Sequence, residues 1–151
     1  MLFFELAATS LGIGYIGKGA GTVAAVACCI CWYFAWAGGY PPAILSVIIT
    51  VLIILLGIWA GNKVEPLWGK DHQRVVIDEV AGMCIALLFI PVSLKYVLTA
   101  LILFRFFDIT KPLLIKKMED LPGGWGVMMD DVLAGVYANV LLQAVVAFKL
   151  Y

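Results

Sequence analysis

The stretch VVIDEVAGMCIALLFI, residues 75–90, places two adjacent acids, Asp78 and Glu79, in an otherwise apolar run. Its meaning depends on the rest of the chain, which is 64% hydrophobic and only 13% charged over 151 residues, with a mean hydropathy of +1.06. An ordinary soluble domain carries about 25% charged residues, so this chain lacks the charge to cover a water-facing surface. It reads as a single integral membrane domain, residues 1–151, built of helices. Inside such a helix a carboxylate costs on the order of 3 kcal/mol by insertion scales and persists where a metal, a proton or a substrate answers it.

Three other runs are long or apolar enough to count as spans, residues 20–37, 43–60 and 128–148, since about 20 apolar residues cross a hydrocarbon core of about 30 Å. A fifth, residues 96–107, is too short alone and must recruit flanking residues such as Leu94 or Ile109. Residues 2–16 are broken by Glu5, Thr9, Ser10, Gly12 and Gly14 and lack the cationic start of a signal peptide. The expectation is therefore an all-α polytopic bundle of about five transmembrane helices with an N-terminal interfacial segment.

Alternate loops of five crossings share a side. Lys18, Lys63, Lys70, Arg74, Lys111, Lys116 and Lys117 fall on one, Lys95 and Lys149 on the other, and the positive-inside rule assigns the first to the cytoplasm. A formal net charge of zero gives no electrostatic footprint for nucleic acid. Cys28, Cys29, Cys31 and Cys84 lie in apolar spans and read as packing residues. His72 is the only histidine and has no Cys or His partner at zinc-ligand spacing, so it reads as a solvated loop residue.

With this topology the polar clusters converge at one membrane level: Asp78 and Glu79 one turn into the third span, Arg105 and Asp108 at the exit of the fourth, Asp130 and Asp131 at the entry of the fifth, and residues 17–22 ahead of the first. Asp78-x-x-x-Gly82 and Asp131-x-x-x-Gly135 repeat one design, in which the i+4 glycine lets a neighbouring helix approach beside the acid. Asp78 and Glu79 point about 100° apart, so either both reach one cavity at a helix end or one faces headgroups. Asp130 and Asp131 also suit a helix N-terminus as macrodipole partners, and Arg105 with Asp108 suits a structural i, i+3 ion pair. An oxygen-only donor set fits a hard cation such as Mg²⁺. The adjacent cations and the glycine-rich GKGAGT of residues 17–22 offer charge and backbone N–H groups to a phosphate.

Three motifs, VIDEVAGM (residues 76–83), FRFFDITKP (104–112) and GGWGVMMDDVLAGV (123–136), resemble in order and spacing the bacterial phosphatidylglycerophosphatase A family. The resemblance runs from about Gly12 to Val136. It implies an Mg²⁺-dependent membrane phosphatase that converts phosphatidylglycerophosphate to phosphatidylglycerol at the cytoplasmic face of the bacterial inner membrane. It also implies metal or catalytic duties for Asp78, Glu79, Asp108, Asp130 and Asp131, with the metal on Asp78, Glu79, Asp130 and Asp131. Phosphate contacts fall to Arg105 and Lys111, while Gly21 and Thr22 fit a proline-glycine-threonine element of the family. Asp71-His72 likewise resembles the family's approach to its third-span acids.

The chain departs from that pattern at Ala20, where proline is common, at Ala24 and Ala25, which replace Gly-Ser, and at Lys18, which offers the phosphate a cation where proline is frequent. The rival expectation is a small cation- or proton-coupled transporter using the same carboxylates, which calls for acids at the midplane or on both sides. The D-x-x-D-G-x-x-A-R type of signature of phosphatidyltransferases acting on CDP-linked lipids is absent.

Overall fold

The computed structural model describes residues 1–70 and 72–150, so Asp71 lies outside the described residues. All regular structure among them is helical: α1 (Leu2–Ala8), a 3₁₀ turn (Ile13–Ile16), α2 (Ala20–Trp36), α3 (Ala43–Trp68), α4 (Ile77–Leu87), α5 (Leu94–Thr110), the single turn α6 (Ile115–Met118) and α7 (Gly124–Ala147). Two helices, α3 and α7, are long and apolar enough to cross a membrane, and α2 is apolar but shorter. Large apolar side chains face outward on several helices, among them Phe34, Ile44, Ile102 and Val140. A water-soluble monomer rarely leaves so broad an apolar surface uncovered.

Helix boundaries follow local chemistry. Pro42 caps α3, which runs to Gly69 at φ 89°, a left-handed value suited to glycine. Ser93 Oγ accepts the Tyr96 N–H at the start of α5. That helix covers Leu94–Thr110, taking in both Leu94 and Ile109 as its short apolar run requires.

Two boundaries beside the acids differ from the sequence expectation. The third span, expected over residues 75–90, is helical only for the 11 residues of α4, about 16 Å at 1.5 Å per residue. Leu88 turns extended, Phe89 takes φ 62°, and Pro91 disfavours helix in the residue before it. The exposed carbonyls are answered from α7, where Asn139 Nδ2 donates to Ala86 O at 3.1 Å and Leu88 O at 2.7 Å. The last span begins at Gly124 rather than near Met128, so Asp130 and Asp131 lie well inside the helix instead of at its entry, and complementing the macrodipole is not their role. The N-terminal segment docks by one face on α3: Phe4 stacks edge-on with Trp59 at 4.9 Å and Val76 N–H donates to Ala8 O at 2.9 Å.

The bundle is centred on the pair α4 and α7, with α5, α3 and α2 packed around it. At their crossing a Cβ on Gly135 would run into Gly82 O, and one on Gly82 would meet Asp131 O at 2.6 Å as well as the Phe104 ring. Both glycines of the repeated motif therefore stand where the helices touch backbone to backbone. The first turn of α7 presses on α3 in the same way: a Cβ on Gly61 would lie 3.0 Å from Gly124 Cα, and Asn62 Oδ1 accepts the Gly124 N–H at 2.7 Å, capping α7 from outside its own chain segment. At the opposite end Gly38 and Gly39 exchange backbone hydrogen bonds with Val92.

Gly135→Val should force α4 and α7 apart and lower unfolding free energy in detergent by about 1–3 kcal/mol, the usual cost of overpacking. Val136→Ala, on the exposed flank of the same turn, should change it little. Equal unfolding midpoints for wild type and Gly135→Val would refute the close crossing.

Candidate active site

The crossing of α4 and α7 sets the positions of the acids. Asp78 stands one turn before Gly82 and Asp131 one turn before Gly135, so the two carboxylates meet beside the contact. Asp78, Asp130 and Asp131 are buried at 6%, 4% and 2% exposure, and oxygens from all three lie within 4.8 Å of one another. Glu79, Asp108 and Asp131 form a second such group at the same spacing, with Asp131 common to both. Adjacent acids on α4 thus both serve the site because they occupy the first turn of a helix. Arg105 of α5 forms an ion pair with Asp108 and approaches Glu79 at 4.0 Å.

Several polar atoms here are buried with no hydrogen-bond partner: Asp78 Oδ1, Glu79 Oε2, Asp131 Oδ2 and Arg105 Nε. Unmatched buried carboxylate oxygens are costly, and like charges at this spacing repel. A cation among them would relieve both penalties. The donors are all carboxylate oxygens, the set preferred by hard divalent ions and unsuited to a thiolate- or imidazole-seeking metal.

A polar cavity of about 230 Å³ opens beside Asp78, Glu79 and Arg105 and is roofed by the start of α2. Gly21 packs directly against Glu79 there, since a Cβ at that position would displace the Glu79 carboxylate. The cavity therefore lies under a helix N-terminus, whose free N–H groups favour anions. Lys18 stands exposed on its rim, and His72 and Gln73 complete the wall. His72 Nδ1 accepts the Arg74 N–H at 3.2 Å. Thr22 is exposed and not part of the lining.

Lys111 stands apart from this cavity. It ends α5 in the left-handed region at φ 48°, and its Nζ donates to Asp130 at 2.7 Å and to Glu119 at 2.5 Å. Burial opposes its charge, but the hydrogen bonds to Asp130 and Glu119 outweigh that and hold the ammonium protonated above the usual lysine range. Its structural place is as a brace on Asp130. Glu119 was not singled out in the sequence; its only signal there is a charge near the end of a cationic loop. Asn62 and Asn139 gave no signal, because each acts on a backbone group brought near by the fold.

Cys28 Sγ lies 3.6 Å from Cys84 Sγ, so the C-x-x-C spacing does not mark a Cys28–Cys31 pair. All four cysteines are free.

The family model described as phosphatidylglycerophosphatase A matches residues 6–146. A Bacteroides thetaiotaomicron protein named putative phosphatidylinositol-3-phosphatase is 44% identical over 142 residues, 91% of this chain and 89% of its own. Phosphatidylglycerophosphatase A of Haemophilus influenzae is 41% identical over 67% of this chain and 64% of its own, and that of Escherichia coli 30% identical over 92% and 81%. No solved structure matches.

Lys111→Met should lower stability near neutral pH by about 2 kcal/mol, the scale of hydrogen bonds to charged groups. A lysine whose folded pKa is raised contributes fully below its unfolded value of about 10.4 and loses that contribution as pH rises through the folded value. The stability gap between wild type and variant should hence stay level from roughly pH 7 to pH 10 and shrink only above that. A gap that closes already near pH 8 in thermal denaturation would contradict the Lys111 brace.

Proposed function

The chain belongs to the phosphatidylglycerophosphatase A family, a family of phosphatases, and we propose that it hydrolyses the terminal phosphomonoester of phosphatidylglycerophosphate, giving phosphatidylglycerol and phosphate. The observation that carries this proposal is the meeting of five carboxylates from α4, α5 and α7 with the Arg105 guanidinium beneath the N-terminus of α2. A phosphomonoester needs both a cation to share its oxygens and direct positive charge around it.

Asp78, Glu79, Asp130 and Asp131 are the residues that would hold Mg²⁺. When bound, that ion supplies Lewis-acid polarisation of the phosphoryl group and a water of lowered pKa. The chain's own groups supply the rest. Arg105, with its Nε unpartnered, faces the cavity and neutralises charge on the phosphoryl oxygens. Lys18 at the rim and the N–H groups around Gly21 receive the same anion, while Thr22, outside the lining, has no direct part in holding it. Asp108, tied to Arg105, fixes the guanidinium and presents its carboxylate toward Glu79 and Asp131, where it orients water or adds a ligand. Lys111 acts through Asp130, which it holds in place by its hydrogen bond.

We place the bundle in the bacterial inner membrane with this site at the cytoplasmic face. Seven of the nine cations other than Arg105 stand at the acid-bearing end in the five-span topology. α4 would complete its crossing with the extended residues that follow it, a form of backbone tolerated at depth because Asn139 and Gly39 answer its polar groups. The cation- or proton-coupled transporter gains no support, since the acids gather at one end of the bundle.

A second substrate has a specific observation in its favour: the 44% identical relative is named for a phosphatidylinositol 3-phosphate substrate. Phosphate release by the purified protein from phosphatidylglycerophosphate, phosphatidylinositol 3-phosphate and phosphatidic acid, with Mg²⁺ and with chelator, separates the two. The expected outcome is turnover of phosphatidylglycerophosphate at least tenfold above the others, abolished by chelator and, in sealed membrane vesicles, available only to substrate on the cytoplasmic leaflet. Preferred turnover of the inositide would transfer the substrate assignment, and no release from any of the three would end the phosphatase proposal.

A further inference from the structure

A second, apolar groove of about 530 Å³ lies between α1, α2, α3 and α4. Its floor on α2 is a stripe that begins at Ala24, passes Ala27, Cys28 and Cys31, and ends at Trp32 and Trp36. From Ala24 to Trp36 the helix rises about 18 Å, close to one leaflet's share of a hydrocarbon core about 30 Å thick. Leu11, 85% exposed, and Cys31 mark its open side.

The groove adjoins the polar cavity along α2 and α4. On α2, Ala20 and Gly21 line the cavity and Ala24 the groove, one turn on. On α4, Asp78 and Glu79 line the cavity while Ile77 and Val80, their immediate neighbours, line the groove. An occupant that fills both must be charged at one end and aliphatic along about a leaflet's depth. At the far end Trp32 and Trp36, edge-on at 4.6 Å, line the groove. The volume lies within the usual range of about 300–1,000 Å³ for small-molecule sites.

We propose that this groove binds one acyl chain of the lipid phosphomonoester whose head group enters the polar cavity, with the α2 stripe and its two tryptophans setting the chain length accepted. The assignment rests on the phosphatase function proposed above and adds the residues that read the lipid body. Small side chains at Ala27 and Cys31 leave the width an alkyl chain needs, and thiols are only weak hydrogen-bonding groups that hold water poorly. Selectivity among lipids then comes from two places, the head group at Lys18 and Arg105 and the chain along α2.

The test compares a long-chain diacyl substrate with its deacylated, water-soluble head group on wild type, Ala27→Phe and Cys31→Phe. Filling the groove should lower the ratio of kcat/KM for the lipid to that for the head group about tenfold or more, as burial of roughly two methylenes is lost. Because the ratio divides out any general loss of active protein, a ratio equal to wild type in both variants overturns the proposal. A lipid phosphomonoester carrying a photoreactive group near its chain end gives the second reading. Adducts on α2 near Trp32 and Trp36 support the groove, whereas adducts confined to the outer faces of α3, α5 and α7 overturn it, as would efficient α2-to-α2 disulfide crosslinking at Cys31 in membranes, which assigns the groove to a second copy. Wild type that hydrolyses neither substrate yet takes chain-end adducts in the groove refutes the phosphatase function and keeps the binding site; failure in both refutes both.

Discussion

The architecture depends on one backbone contact, Gly82 of α4 against Gly135 of α7. No side chain larger than hydrogen fits on either side of it, and the helices it joins are the two that carry Asp78 and Asp131 one turn away. The close approach brings carboxylates from separate helices within a few ångströms of a common point, where unpartnered oxygens accumulate at a cost the fold alone does not offset. In an apolar bundle the hydrophobic effect contributes little to helix association, and tight packing of small residues takes its place. The same glycines thus serve as adhesive and as the means of assembling the acids.

Around this contact, polar groups are satisfied by neighbours rather than by water. Asn139 answers the end of α4, Asn62 the start of α7, and Lys111 braces Asp130 against Glu119. On α3, Ser46 and Thr50 return their hydroxyls to the carbonyls of their own helix. Against this background of satisfaction the unpartnered atoms of Asp78, Glu79, Asp131 and Arg105 stand out. They share one end of the bundle, where Asp78, Glu79 and Arg105 line the polar cavity and Asp131 joins both acid groups.

Much of this was legible in the sequence because the signals were local. Asp-x-x-x-Gly spacing is a helix-face statement, and the structure places both glycines at a contact and both acids beside it. The family resemblance is shown by the match over residues 6–146. The length of α4 was not legible, since apolar composition continues past Leu87 and only Phe89, Pro91 and the distant Asn139 end the helix. Nor was the depth of Asp130 and Asp131: the glycines before them look like a turn, whereas from Gly124 onward they form a helix pressed on α3. For Lys111 the family resemblance implies a phosphate contact, while its hydrogen bonds to Asp130 and Glu119 join elements that no local window contains.

The central claim is that the α4–α7 crossing builds a divalent-cation site in which Asp131 belongs to both acid groups. Mn²⁺, whose unpaired electrons report its binding, can be titrated into purified protein and followed by electron paramagnetic resonance, independently of turnover. Wild type should bind Mn²⁺ saturably and release it to Mg²⁺; Asp131→Asn should abolish that binding, while Asn at Asp120, on the loop before α7, should leave it intact. Mn²⁺ affinity unchanged in a folded Asp131→Asn protein would contradict the account.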